Sequence, residues 1–525
     1  MYFVVIMAFA LVLSDNLPPE QLNLWGPAPW ADGRPVLDMA LILLGEFVVV
    51  AVAALVASRI SLGRLGRTLE SHDRATGAFA RSQMVLLGII AAALAATMLF
   101  TPWVPLVRAG SEDDPAGIVE VLLRFAGDMF LLVPFFASLL LTWTILYRAE
   151  LRIRTALIET AAGDGDAPIE KTGEDGATAA LAAAKRKRPF GESSLCTYLL
   201  DKFRHQVLIV AIPMSIIVLA KHFTDQYRTD LRAFTSLLWA PDALLGVLSV
   251  CILACAPSML RHIWATEPLP PGPLRDRFVK ICGRIGLRYR EILLWHTHGM
   301  AINAAVMGFV APWRYILVSD ALLETMTEDE IEAVFSHEAG HVRHWHLQFF
   351  VLFALLSMYI AGGLLEVLWR LGLQDLGLLQ LIALAVLLLS WLFGFGWLSR
   401  RFERQADLFG VRCVAPEVKE CLDWCPVHGR QTGPGLCVTA SNAFGRTLGK
   451  IADLNGIPRD APSWRHGTIE SRCRLIEKLT LDTVALRKFD RSLFLIKVVL
   501  FVACLAGTIV AAWLYWPDVA RALNL

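Results

Sequence analysis

The chain has 525 residues, with 49 Lys and Arg against 48 Asp and Glu, a balance that offers no basic footprint for a nucleic-acid partner. Hydrophobic residues make up 56% and charged residues 18%, where soluble globular domains carry about 25% charged residues. The apolar excess sits in long uncharged runs, which excludes one large soluble core and implies a lipid bilayer as partner.

Nine runs are candidate spans, at 2–14, 37–58, 84–107, 127–147, 206–220, 237–260, 350–371, 376–398 and 493–516. Most approach the ~20 residues needed to cross the hydrocarbon core. The first has no basic residues before it and no small-residue cleavage site, so it reads as a span rather than a removed signal peptide. Six of the nine fall in residues 1–260, which form an N-terminal membrane domain. Within it, 161–188 is rich in Gly, Ala and charge and reads as a disordered linker.

Loop charge sets the orientation. Arg59, Arg64, Arg67, Arg74 and Arg81 lie in one loop, and Arg148, Arg152, Arg154 and the run 185–188 (KRKR) in another. Both belong on the cytoplasmic side. Glu112, Asp113 and Asp114 lie between them and belong outside. Alternation then makes 261–349 and 399–492 cytoplasmic.

Residues 261–349 begin with Pro268, Pro270, Pro271 and Pro273, continue with a helical pattern, and then show β-like runs at EILLWH and WRYILVS. Thr327 and Glu330 form a capping box that opens a helix from about Glu328 to Phe350. That helix carries His337-Glu338-Ala-Gly-His341. Two histidines four residues apart project from one helix face and can share one Zn²⁺, with Glu338 beside them as general base. The three residues suit peptide-bond hydrolysis: the metal activates water, and the glutamate removes its proton and returns it to the leaving amine.

A catalytic zinc needs a third protein ligand. Glu403 is a candidate, because the hairpin of spans at 350–398 returns the chain to the membrane face it left. Spacing alone leaves open a salt bridge from Glu403 to Arg400, Arg401 or Arg404.

HEAGH, preceded by NAAVMGF and YILVSDALLETMTEDEIEAVF and followed by ERQAD, resembles the HtpX-like and CAAX prenyl membrane endopeptidases. The resemblance covers about residues 268–480. It implies one zinc per chain held by His337, His341 and Glu403, with Asp407 orienting a ligand from behind. It implies that His466 and Arg472, six residues apart, stabilise the oxyanion, although Gly467 stands where the family usually has Pro. It also implies that Asn303 and Ala304, with Tyr315–Val318, hold an extended substrate.

Other features have blander readings. His344 and His346 are expected at the membrane interface. Asp128 is expected at the outer end of a span, and Glu46 deeper, facing a cavity. Cys421, Cys425, His428 and Cys437 suggest a second, structural metal site, or else an insertion with incidental cysteines. The remaining cysteines form no disulfide framework.

The expected fold is mostly α: a polytopic helical membrane protein with a zincin-like α+β metallopeptidase domain at 261–492, split by the hairpin, and a C-terminal span in 493–525. The expected function is a multi-pass membrane zinc endopeptidase acting on polypeptides at the cytoplasmic face, with oligomeric state left open. The alternatives are a protease-type signalling receptor, which needs a sensor domain after the last span where only about nine residues follow Trp516, and a catalytically inert scaffold or transporter.

Overall fold

The structure, a computed structural model, describes residues 35–523 except 67, 102, 110–116, 164–193, 236–238, 298–301, 374–375, 419 and 431–434. The expected span at 2–14, the acidic loop at 112–114 and all but the first three residues of the linker at 161–188 lie outside the described residues. Contacts divide the chain into two units at Trp264.

Every described element of the first unit is helical. Pro35–Gly63 packs against Leu69–Phe100 and Val133–Gly163. Its small residues Ala54, Ala57 and Ser61 are buried in that contact, while Leu41, Leu44, Val48 and Val52 face outward. In water this arrangement would be inside out. In lipid it lets backbones approach closely and leaves large apolar side chains to the hydrocarbon.

Six helices among the described residues are long and apolar enough to cross a membrane, or seven if the bent pair Ile118–Leu131 and Val133–Ile153 is one span. Two of the nine expected spans are not among these. One, 2–14, lies outside the described residues and is not tested by them. The other, 376–398, is divided into a short helix and a π-helical turn at Ser390–Phe395. Asp128, expected at an interface, is buried and meets His222 Nε2 at 2.7 Å. Glu46 accepts hydrogen bonds from Thr97 at 3.0 Å and Ser138 at 3.3 Å.

The second unit starts with a four-stranded sheet of β1 (Thr266–Pro268), β2 (Glu291–Trp295), β3 (Ala304–Met307) and β4 (Tyr315–Ser319), in the order β1-β2-β4-β3. The parallel pair β2 and β4 is central, and β4 is buried at every residue, as its unbroken apolar run requires. β3 pairs antiparallel with β4 and forms one edge. Helix α1 (Pro273–Ile285) ends at Gly286, whose φ of 67° is a left-handed cap that glycine adopts without strain. The next helices are α2 (Asp320–Thr325) and α3 (Glu328–Arg343). Phe278 and Ile281 of α1 share a core with Ile292, Ile316, Ile331 and Phe335.

The capping box at the start of α3 is formed on both sides: Thr327 N donates to Glu330 Oε2 at 2.9 Å, and Glu330 N to Thr327 Oγ1 at 3.4 Å. The far end departs from expectation. The helix stops at Arg343, and Trp345 has a φ of 61°. A new helix, α4 (His346–Arg370), begins after it. It packs against α5 (Leu376–Leu389), and the π-helical turn leads into α6 (Gly396–Val414).

α3 and α6 cross at close range because small residues face each other. A Cβ on Gly340 would lie 3.1 Å from Ala406 Cα and 3.2 Å from the Phe409 ring. A Cβ on Gly410 would collide with the Phe444 ring. Helices α7 (Val438–Leu454), α8 (Ile469–Leu481) and α9 (Thr483–Leu523) complete the unit. In α9, Leu493 and Leu500 pack on Leu398 and Phe402.

Gly340→Val should separate α3 from α6. Overpacking of this kind costs about 1–3 kcal/mol. The detergent-solubilised variant is expected to unfold several degrees lower and to bind less zinc, as read by thermal denaturation and metal analysis.

Candidate metal centre and active site

The crossing of α3 and α6 brings three nitrogen and oxygen donors to one point. His337 Nε2 lies 3.3 Å from His341 Nε2 and 3.5 Å from Glu403 Oε2. His341 Nε2 lies 3.7 Å from Glu403 Oε1. A tetrahedral ion with bonds of about 2.0–2.1 Å has edges of about 3.3–3.4 Å. The three residues therefore fit a zinc ion with little movement. Glu403 faces the histidines and is almost fully buried.

Behind the ligands, Asp407 lies one turn along α6 from Glu403. His337 Nδ1 is 3.0 Å from Asp407 Oδ1, close in distance but poorly aligned for a hydrogen bond. Arg472 of α8 grips Asp407 with two hydrogen bonds of 2.9 and 2.5 Å, and its third nitrogen lies 3.7 Å from Glu403 Oε2. Arg472 is itself buried. Its guanidinium is largely committed to holding two carboxylates in place, which makes it a positioning residue in this geometry.

His466 is half-exposed, and its Nδ1 lies 3.0 Å from Glu403 Oε1. The turn carrying it explains the departure at Gly467. That residue has a φ of 74°, which the fixed ring of proline cannot adopt. Gly467 N donates to Ser463 O at 2.8 Å, and Arg400 Nη1 holds Trp464 O at 2.8 Å. Trp464 Nε1 donates to Leu392 O at 2.7 Å, on the π-helical turn. The irregularity that shortens the helix before α6 thus anchors the His466 loop.

One set of residues escaped the sequence reading. His346, expected at the membrane interface, is buried, and its Nδ1 lies 2.9 Å from His341 Nδ1. Its other nitrogen, Nε2, lies 2.9 Å from Gln405 Oε1, which also accepts from Lys497 Nζ at 2.8 Å. The ring stacks on Phe402 with centroids 4.3 Å apart. If His341 Nε2 binds metal, its Nδ1–H donates to His346, and His346 Nε2–H donates to Gln405. The chain fixes both tautomers, as outer partners of metal-bound histidines do. The only signal in the sequence is five-residue spacing, visible once the break at Trp345 is known. His344 has no such role; its ring sits edge-on to Phe409.

Electrostatics describe a site built for a cation. Burial opposes a proton on His337, but Asp407 and Glu403 win and push its pKa up to about 10. Burial and the His337 charge push His341 down to about 3, leaving it neutral. Burial pushes the partly exposed Glu338 up to about 7. Burial also opposes the charge of Glu403, yet its contacts with His337 and His466 hold it well below the carboxylate range. Asp407 is likewise lowered, against burial, by Arg472 and His337.

The fold and the site define a class: a metallopeptidase-type centre on two crossing helices, in a chain with several membrane-length apolar helices. Residues 285–434 match peptidase family M48. A CAAX prenyl protease 1 homolog from Arabidopsis thaliana is 29% identical over 190 residues, 33% of this chain and 44% of that protein. Protease HtpX from Xylella fastidiosa is 30% identical over 179 residues, 31% of this chain and 58% of that protein. CAAX prenyl protease 1 of Saccharomyces cerevisiae is 23% identical over 189 residues, covering 35% and 40%. The matches thus span less than two thirds of each relative. The crystal structure of S. mikatae Ste24p is also similar, with a TM-score of 0.46 and 15% identity over 84% of this chain and 98% of that one. Residues 285–434 are thus similar to peptidase family M48, and the chain resembles HtpX and CAAX prenyl protease 1 over about a third of its length.

Three outcomes are expected. Asp407→Ala leaves Arg472 buried without its main partner, which costs about 3–5 kcal/mol. Denaturation should show a lower midpoint above the ordinary carboxylate range, about pH 4. The difference should shrink as pH falls through the lowered folded pKa, since the wild-type pair is lost there too. His346→Phe keeps the stacking on Phe402 but removes the partner of His341. It should weaken zinc binding roughly 10- to 100-fold in chelator competition. Because a proton on His337 competes with the metal, apparent zinc affinity should rise from about pH 6 to about pH 8.

Proposed function

We propose that this protein is a membrane-embedded zinc endopeptidase that hydrolyses peptide bonds of membrane or membrane-associated polypeptides at the cytoplasmic face. The observation that carries this reading is the convergence of His337, His341 and Glu403, with Glu338 adjacent on the same helix. His337 Nε2, His341 Nε2 and a Glu403 oxygen would hold the zinc. When bound, that ion supplies a Lewis acid and lowers the pKa of water from 15.7 to about 7.

Glu338 takes the proton of the attacking water and returns it to the leaving amine. Its burial-raised pKa suits that exchange, although a nearby dication would pull the value down again. His466, half-exposed beside Glu403, is the residue we assign to the developing oxyanion. Arg472 supports it indirectly, by fixing Asp407 and Glu403. The family resemblance assigned both residues to the oxyanion; the geometry favours this division.

The substrate would add to the sheet along β3. Asn303 N donates to Ser319 Oγ at 3.0 Å, and Asn303 O accepts from Ser319 N at 3.0 Å. Those bonds use the side of the strand facing β4 and leave the other edge for an extended peptide. β3 packs beside α3, so a peptide there would run near the zinc ligands. The cytoplasmic assignment is supported by the arginine-rich loops at 59–81 and 148–154.

The test is Glu338→Gln in the full-length protein. Cleavage of a membrane polypeptide substrate should fall by at least about 10²-fold, the lower range for loss of a general base, with zinc at the His337 site retained. Full activity would reject the mechanism. Loss of zinc together with activity would make Glu338 a structural residue instead.

A further inference from the structure

Between α6 and α7 the chain reads Cys421-Leu-Asp-Trp-Cys425-Pro-Val-His428-Gly429, and Cys437 caps α7. The M48-type centre uses none of these residues. We propose that Cys421, Cys425, His428 and Cys437 bind a second, structural Zn²⁺ ion.

One donor atom from each of the four residues lies within 4.8 Å of the others. Cys421 Sγ and Cys437 Sγ are 3.6 Å apart. Zinc–sulfur bonds of about 2.3 Å give a tetrahedral sulfur–sulfur edge of about 3.8 Å. A disulfide needs about 2.05 Å, and would leave the third thiol and the imidazole without a purpose. Three thiolates and one imidazole are a common closed zinc set with no open position.

The backbone around the sulfurs supports ligation. Ala440 N donates to Cys437 Sγ at 3.4 Å, and Gly429 N donates to Cys425 O at 2.7 Å, closing the turn that carries His428. Two glycines make the approach possible. A Cβ on Gly429 would collide with the carbonyl oxygens of Asp423 and Cys425, so only glycine lets His428 fold back over Cys425. A Cβ on Gly435 would lie 2.6 Å from Pro426 Cγ, so glycine brings the chain leading to Cys437 onto the same turn.

The site has a structural consequence. Cys425 and Cys437 are buried in one core with Ala333 of α3, Leu408 and Val411 of α6, and Ile476 of α8. An ion there would pin the α6–α7 connection against the back of the helices that carry His337, Glu403 and Arg472. Its coordination is closed, so it takes no substrate.

The test uses full-length protein purified in detergent under reducing conditions. Metal analysis should find two zinc ions per chain. The double variant Cys421→Ser/His428→Ala should retain one, and so should His337→Ala/His341→Ala. After exchange with cobalt, the wild-type protein should show sulfur-to-cobalt charge-transfer absorption in the near ultraviolet. His337, His341 and Glu403 offer no sulfur, so that band reports the second site alone. It should persist in His337→Ala/His341→Ala and disappear in Cys425→Ser. If the cysteine variants fail to accumulate, the wild-type spectrum still decides. One zinc per chain without the band, or a Cys421–Cys437 disulfide in non-reducing peptide mapping, would overturn the proposal. Loss of zinc only from the His337 site would leave it standing while removing the peptidase mechanism.

Discussion

The close crossing of α3 and α6 is the constraint on which the rest of the second unit depends. Two candidate metal ligands come from one helix and the third from the other, and a zinc–ligand bond of about 2 Å tolerates little error. Gly340, Ala406 and Gly410 therefore do structural work that their chemistry conceals. They let two backbones meet at a distance that larger side chains would prevent. The same contact explains the small residues beside the candidate ligands, Gly340 in HEAGH and Ala406 in ERQAD.

Charge balance follows from that crossing. Glu338, Glu403 and Asp407 place three carboxylates in a small volume, and Arg472 supplies one buried cation among them. Without a metal the deficit is met by protons: His337 keeps one to about pH 10, and Glu338 keeps one to about pH 7. A dication replaces those two charges. The site thus suits a dication in an electrostatic as well as a geometric sense, and the buried Arg472 holds Asp407 in place with two hydrogen bonds.

The histidine pair was legible in sequence, because HEAGH on a capped helix puts His337 and His341 on one face; spacing left Glu403 open between a ligand and a salt bridge, and folding places it beside the histidines. The central strands were legible too, since EILLW and YILVS are apolar runs of strand length, whereas the edge strand at Ala304–Met307 entered only through the family resemblance. The break at Trp345 was not. It contains no proline or glycine, and a tryptophan with positive φ follows no local propensity. Tertiary contacts enforce it: Lys497 Nζ donates to His344 O at 2.8 Å, placing a cation on the end of α3. The pairing of Asp128 with His222 was equally hidden, since the partners are 94 positions apart and only folding joins them. The π-helical turn at Ser390–Phe395 was concealed by an apolar run that reads as one smooth span.

The break at Trp345 has a wider meaning. It takes the chain from the helix that carries the candidate ligands His337 and His341 to one long enough to cross a membrane, and His346, the first residue of the second, touches His341, near the end of the first. Gln405 on α6 and Lys497 on α9 close the loop around that junction. α9 is also of membrane-crossing length. The tautomer and direction of His341 are therefore set by residues whose positions depend on how α4, α6 and α9 pack together. Outside a bilayer the apolar faces of α4 and α9 would have no suitable solvent, and the support behind His341 would weaken with them. The apolar helices thus contribute to the surroundings of the candidate metal centre, through the hydrogen bonds that join His341, His346, Gln405 and Lys497.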